Sequence, residues 1–400
     1  MSLVLSTNIN AMVAQNALTS SGSQLASALQ QLSTGLRINT AADDAAGYAI
    51  VNGMTSQING LNQAARNAND GVSLAQTGSG ALSEIVNDLQ TMRDLAVQSL
   101  NATNSANDRA DLDQQFQQLK ADIDNVAKTT QFNGVTLLDG TFQGATFQVG
   151  ANAGQTITVS SVSSAASNNL GQVYALAGTD QTTYAGGAGD TVSFAITSDD
   201  PAVPAAGVTS ATVTLTGNQA TDLKTIAAAI NQAVGGYGVV ATVDTAGQAL
   251  NLSSTTSQTL TIATTATDGG GGGAEDASTF GIVEGANAVT TAGNFLDQAD
   301  VKSVDGSNLV LIQVDAALQQ LAATGAQLGA YQNRFQAAVT GLNTDATNLA
   351  SARSQIQDTD YASATSQLTK AQILQQAGTA MVAQANTIPQ NVLTLLNKLA

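Results

Sequence analysis

The run AQILQQAGTAMVAQANTIPQNVLTLLN, residues 371–397, contains no charged side chain. Two apolar series thread it at seven-residue spacing: Ala371, Gly378, Ala385, Val392 and Leu399 beside Leu374, Met381, Ile388 and Leu395. A heptad sustained this far marks an α-helix that lays one face against another helix. The other end of the chain matches it. No charge occurs from Met1 to Leu36, and Val4, Ala11, Leu18, Leu25 and Leu32 repeat at the same interval.

Working inward, Val314, Leu321, Leu328, Phe335, Leu342, Leu349 and Ile356 form a third series. With 43% of the chain apolar, seven hits in seven have a chance of about 0.3% in a given register. A fourth pattern combines Ile58, Ala65, Val72 and Val86 with Leu61, Ala68, Ala75, Leu82, Leu89 and Ala96. It predicts a helix over about 58–103, roughly 65 Å long at 1.5 Å per residue. A shorter helix carries Leu112, Phe116, Leu119, Ile123 and Val126. Small seam residues such as Ala65, Gly78, Gly325 and Gly378 allow close approach but bury little area, so these helices need neighbours. Gly71, Gly78 and Gly80 weaken the long helix by about 1 kcal/mol each relative to Ala, and Pro389 is expected to kink or loosen the last one.

A helix with one partner normally keeps charges on its wet face. Gln, Asn, Ser and Thr occupy that face at both ends here. Amides and hydroxyls can satisfy one another when buried, whereas unpaired charges cannot. The charge-free ends therefore predict a pair of helices that is buried again among identical copies, as in a polymer.

Between about 177 and 296 the heptads vanish. Alternating runs at 191–196, 211–215, 239–243, 250–252 and 260–262 read as short half-buried strands, with a helix over about 220–234 that faces Leu223, Ile226, Ala227 and Ile230 one way. The order expected is β-β-α-β-β, with Gly269–Gly273 as a connector. Ten acids and Lys224 give this block a net charge of 1 − 10 = −9, out of −17 for the chain, which fits a solvated outer domain. A second β region over 130–160 carries the turn signals Asn133-Gly134 and Asp139-Gly140. The fold class expected is mostly α with an added α+β domain.

Composition excludes much chemistry. The 400 residues include no His and no Cys, so there is no imidazole base, thiol nucleophile, disulfide, His-ligated metal or zinc–thiolate site. Twelve Lys and Arg against 29 Asp and Glu argue against a nucleic-acid surface. No 18-residue apolar run suits a membrane span, and no secretory signal peptide is expected at the N-terminus. The paired acids Asp43-Asp44, Asp199-Asp200 and Asp358/Asp360 suit helix caps and turns better than acid–base catalysis. No catalytic, cofactor-binding or metal-ligating residue is assigned, and the chain is expected not to be an enzyme.

Several long motifs resemble bacterial flagellins. LSTGLRINTAADDAAGYAI (32–50), NQAARNANDGVSLAQTGSGAL (62–82), LQTMRDLAVQS (89–99) and TQFNGVTLLDG (130–140) are similar to the N-terminal half of the family. LGAYQNRFQAAVTGL (328–342), LASARSQIQDTDYA (349–362) and QILQQAGTAMVAQANTIPQNVLTLL (372–396) are similar to its C-terminal half. The resemblance implies a structural subunit of the extracellular filament, a homopolymer used for swimming. It implies secretion in an unfolded state by the flagellar type III export apparatus, with an export chaperone, the filament cap and hook–filament junction proteins as partners. It further implies three layers. Residues 1–45 and 357–400 would form an inner coiled coil lining the filament channel, with Val4, Ala11, Leu18, Leu25, Leu32, Leu374, Met381, Ile388, Val392 and Leu395 in its seam. Residues 46–176 and 297–356 would form a core domain whose seam holds Ile58, Leu61, Val72, Leu82, Val86, Leu89, Leu321, Leu328, Phe335, Leu342 and Leu349, and whose β-hairpin region, about Gln131 to Gly150, takes part in filament switching. Residues 177–296 would face outward. LQTMRDLAVQS is similar to the segment that vertebrate Toll-like receptor 5 reads in some flagellins, through positions matching Leu89, Gln90, Arg93 and Leu95. Thr91 departs from the pattern, where a basic residue is usual, and Gln115 stands where an acid is common, so weakened recognition is expected. A hook–filament junction protein and a surface adhesin using the outer domain are the alternatives.

Overall fold

The computed structural model describes residues 8–176, 186–198, 207–243, 247–255, 259–267, 285–288, 291–292 and 295–399, with only the backbone described for 285–288, 291–292 and 388–399. Asp199-Asp200, Gly269–Gly273 and Val4 lie outside these residues. The helices are α1 (Ile9–Thr34), α2 (Ala45–Ser99), α3 (Ala106–Thr129), α4 (Gln219–Val234), α5 (Val304–Gln357) and α6 (Tyr361–Leu399). Among the described residues thirteen strands lie between them: β1 (Gln131–Phe132), β2 (Val135–Thr136), β3 (Ala145–Gln148), β4 (Thr156–Val159), β5 (Tyr174–Leu176), β6 (Thr191–Ser198), β7 (Val208–Thr209), β8 (Val213–Thr214), β9 (Val239–Val243), β10 (Leu250–Ser254), β11 (Thr259–Thr267), β12 (Gly285–Ala288) and β13 (Thr291–Ala292).

Side-chain caps decide where the helices start. Asn8 accepts from Ala11 N at the head of α1, and Ser105 and Asp108 form a reciprocal capping box on α3. Asp44 accepts from Ala46 N and Gly47 N, which starts α2 at Ala45 rather than near Ile58 as the heptads predict. The helix stops at Ser99, short of the expected Thr103, because Asn101 Oδ1 accepts from Thr103 N and Asn104 Nδ2 donates to Gln98 O, closing a polar turn. With 55 residues α2 is about 80 Å long. Helix α6 runs from Tyr361 to Leu399, with Pro389 inside it.

The chain divides into two compact units. The first comprises 1–68, 148–156 and 337–400. In it α1 and α6 run antiparallel: Leu36 bridges Asp358, Gly378 lies against Leu18, and Asn8 Nδ2 donates to Ala385 O at 2.8 Å. Ala64, Ala65 and Leu342 form a small cluster flanked by Leu61.

The second unit comprises 69–147 and 157–336. Within it α2 and α5 are antiparallel and in heptad register, with Gly71 against Phe335 and, seven residues on, Gly78 against Leu328. Gly71, expected only to weaken α2, and Gly78, expected also to allow close approach, thus admit large side chains of α5. Phe335 is fully buried and packs edge-on to Phe147 with centroids 5.2 Å apart. Leu82, Ile85, Leu89, Met92, Phe116, Ile123, Leu137 and Leu138 of this unit are buried as well. The Asn133-Gly134 signal is a β1–β2 hairpin, and both residues take positive φ, 50° and 80°. An 18-residue window of α5 reaches a mean hydropathy of 1.2, alone among the described helices. Val310, Ile312, Val314, Ala317 and Leu321 of this helix are buried in protein.

The inserted domain has more strands than β-β-α-β-β. An antiparallel sheet β13-β5-β10-β9 and a sheet β12-β11-β6-β7, with β8 also on β6, enclose a core with α4. Val192, Phe194, Ile196, Leu250, Leu252, Leu260 and Ile262 point inward and meet Leu223, Ile226 and Ile230. The strand expected at 191–196 extends to Ser198, with its burial alternation lasting through Thr197, and β11 extends to Thr267. The unexpected strands β5, β7, β12 and β13 have two to four residues, too few to display a period.

Gly71 and Gly80 give opposite expectations in urea unfolding of the monomeric chain. A Cβ at position 71 would come within 2.6 Å of the Phe335 ring, so Gly71→Ala should destabilise by about 1–3 kcal/mol. Nothing lies within 4 Å of a Cβ at Gly80, so Gly80→Ala should stabilise by about 1 kcal/mol.

Candidate functional site

The two end helices, α1 and α6, form one surface, charge-free along α1 and from Ala371 to Asn397 of α6. Their mutual seam consists of small residues: Ala364, Ala371 and Ala385 are buried on α6, Ser21 and Ala28 on α1, with Gly378 half-buried between them. Ala11, Leu18, Leu25 and Leu32 of the expected seam are half-buried along α1. Leu374 and Met381 depart from that expectation. They are 41% and 62% exposed, because the Ala371, Gly378 and Ala385 series faces α1 and brings the backbones close. Ile388, Val392 and Leu395 lie on α6, outside the described side chains.

The larger apolar residues stand outside the seam. Ile9, Met12, Val13 and Leu29 on α1 and Ile373, Leu374 and Met381 on α6 are all exposed. Val13, Ala14, Ala17, Leu374, Met381 and Ala385 line an open groove of about 550 Å³ along the pair. This much exposed apolar surface, on a helix pair free of charge from Ile9 to Thr34 and from Ala371 to Asn397, fits an association surface. The heptads located both series; the prominence of Ile373 and Val13 was not legible in them, since neither belongs to a seven-residue run.

Elsewhere in the expected core seam, Ile58, Val72, Leu82, Leu89, Leu321, Leu328, Phe335 and Leu342 are buried, whereas Leu61, Val86 and Leu349 are half-buried. Of the LQTMRDLAVQS residues, Leu89 and Leu95 are buried and Gln90 is exposed. Arg93 Nε donates to Asp315 Oδ1 at 2.9 Å. Thr91 is exposed and its hydroxyl donates to Asn87 O.

The paired acids serve the backbone. Asp43 Oδ2 accepts from Asn39 N and Thr40 N, and these bonds hold its pKa below the ordinary 3.8. Asp360 Oδ1 accepts from Ala362 N at the start of α6, and Asp358 Oδ2 accepts from Ser354 Oγ. Among the described residues no three His, Cys, Asp or Glu side chains cluster as a metal site would require. A polar clamp unforeseen in the sequence secures the chain where it leaves the inserted domain. Val301 N donates to the buried Asp113, Gln117 Nε2 to Ala299 O and Lys120 Nζ to Asp297 O.

Paired end helices with long charge-free runs, an apolar ridge outside their seam and acids committed to caps and turns are the features of a self-assembling structural subunit. Comparison with known proteins gives the family. Residues 5–143 match the bacterial flagellin N-terminal helical region and residues 311–396 its C-terminal helical region. A flagellin of Salmonella choleraesuis is 36% identical, covering 99% of this chain and 100% of its own. Flagellin C of Vibrio cholerae is 37% identical with the same coverage. The solved structure of FliC from Burkholderia pseudomallei covers 66% of this chain and 99% of its own at 21% identity, with a TM-score of 0.38. The chain belongs to the bacterial flagellin family. It is a structural subunit of the flagellar filament, secreted and extracellular, and not an enzyme. The alternative readings are not favoured.

The capping acids set an acid limit on the fold. Asp43 and Asp108 both have pKa values held below 3.8 by backbone hydrogen bonds, to Thr40 and Asn39 and to Ser105. Their contribution is fully present above pH 3.8 and is lost as pH falls through the depressed values. Circular dichroism at fixed urea should show helix loss on acidification below about pH 4, with a shallower slope in Asp43→Asn/Asp108→Asn.

Proposed function

We propose that assembly proceeds by burial of the apolar ridge on α1 and α6 against sister subunits. The single observation that carries this is the coexistence, on one helix pair, of exposed Ile9, Met12, Val13, Ile373, Leu374 and Met381 with a complete absence of charge from Ala371 to Asn397. Burying one such side chain contributes about 1.5–3 kcal/mol, so the ridge supplies on the order of 10 kcal/mol before the entropy of association is subtracted. A single unpaired charge on that surface would offset several of these contacts.

In the assembled polymer, residues 1–45 and 357–400 form the inner layer around the channel, 46–176 and 297–356 the next, and 177–296 the outer face. The residues assigned to the two seams, from Val4 to Leu395 in the inner pair except Leu374 and Met381, and from Ile58 to Leu349 in the core, hold these layers together. The filament cap, junction proteins, export chaperone and type III export apparatus are the partners, a set that rests on family membership. Seams of Ala and Gly let helices slide or rotate at low cost, which suits protofilaments that pack in two ways, and the Gln131–Gly150 region takes part in the switch. Toll-like receptor 5 reads the Leu89–Leu95 segment weakly, through Gln90 and Arg93, since Leu89 and Leu95 are buried and Thr91 lacks a basic group.

Met381→Glu tests the ridge. The side chain is exposed, so urea stability of the monomer should change by less than about 0.5 kcal/mol, while filaments disappear from sedimentation and negative-stain images. Normal filaments from this variant, or from a chain lacking Met1 to Leu36, would overturn the proposal.

A further inference from the structure

We propose that the inserted domain covers Arg93, keeping the Leu89–Leu95 segment closed to a protein partner while leaving it open to water. The inference rests on the reading of that segment as receptor-facing. Leu89 and Leu95 are buried, so Gln90 and Arg93 are the side chains left to carry recognition. Arg93 lies in one wall of a cleft of about 540 Å³, beside Asp315, Asn308 and Gln319 of α5. The facing wall is the turn Gly235–Gly238 with Tyr237, contributed by the inserted domain.

That turn is held in place. Val240, at the start of β9, packs on Ile312, Val173 and Leu309, which fastens the strand to α5. The Asn231 side chain grips the same strand from the other side, donating to Ala241 O at 2.8 Å and accepting from Ala241 N at 2.6 Å. Gly238 takes φ 74°, which lets the chain reverse directly into β9. The Arg93 side chain is 44% exposed, so solvent reaches it freely. A specific protein partner is another matter. It needs a continuous patch of about 800 Å² per side, and an overhung cleft of this size admits a few side chains at most. Arg93 is also already committed to Asp315 at 2.9 Å, so a partner must first break that pair.

The test is binding of the full-length monomer to the purified receptor ectodomain, measured by biolayer interferometry. Ile312→Asp removes the apolar anchor of the inserted domain. Tyr237→Ala trims the overhanging wall at a residue 38% exposed, so the second variant decides alone if the first does not fold. Each is compared with the parent chain, with and without Arg93→Ala. Ile312→Asp should bind about tenfold more tightly than the parent and Tyr237→Ala should shift the same way, and Arg93→Ala should cancel both gains. If neither opened variant gains while Arg93→Ala weakens every background, the cover is wrong and the receptor-facing segment stands. If Arg93→Ala changes nothing in any background, or nothing binds, the segment reading fails and the cover with it.

Discussion

Every long helix of this chain depends on an antiparallel partner that comes from the other end of the sequence. Asn8 donates to Ala385, 377 residues away, and Arg93 pairs with Asp315, 222 residues away. The constraint that makes such pairs form is close approach. Gly71 lets the Phe335 ring reach the α2 backbone, and Gly378 lies against Leu18 on α1. A larger residue at either place would separate the helices and open voids along the rest of the seam. Contacts of such sequence separation form only after a large loop is closed, so neither end of the chain can fold before the other is present.

Charge follows the same geometry. With only 10% of the chain charged, the described acids concentrate where the backbone needs acceptors. Asp44, Asp108 and Asp360 cap helices, Asp113 holds the chain leaving the inserted domain, and Asp222 accepts from Thr216 N and Gly217 N beside α4. The helix surfaces proposed to meet other copies carry amides and hydroxyls, and Thr and Ser donate to the carbonyl four residues back, as Ser21 does to Ala17 and Ser366 to Ala362. Polar groups that are satisfied within their own helix can be buried later without a partner being found for them.

These two facts also explain what was legible in the sequence. Helices α1, α5 and α6 were visible because heptads survive over many turns, and α4 because its buried face recurs at 3.6-residue spacing. The start of α2 was hidden, since Asp44 was recognisable as a cap but the first turns that follow it carry no sustained heptad. Strands of two to four residues have no readable period, and the Asp113 clamp joins residues 188 apart with no motif on either side. Heptad spacing also reports that a helix has two apolar rows without saying which row faces inward.

That last ambiguity carries the functional point. In α6 the row facing α1 is Ala371, Gly378 and Ala385, and the row left outside is Leu374 and Met381. Apolar gain scales with area, so the small row stabilises the monomer weakly and the large row keeps its area unspent. Exchanging the rows would give a tighter monomer with little left to bury. In the assembly proposed above, the bulky row outside adds apolar burial only when a neighbour arrives, so the end helices gain stability from association as linkage requires.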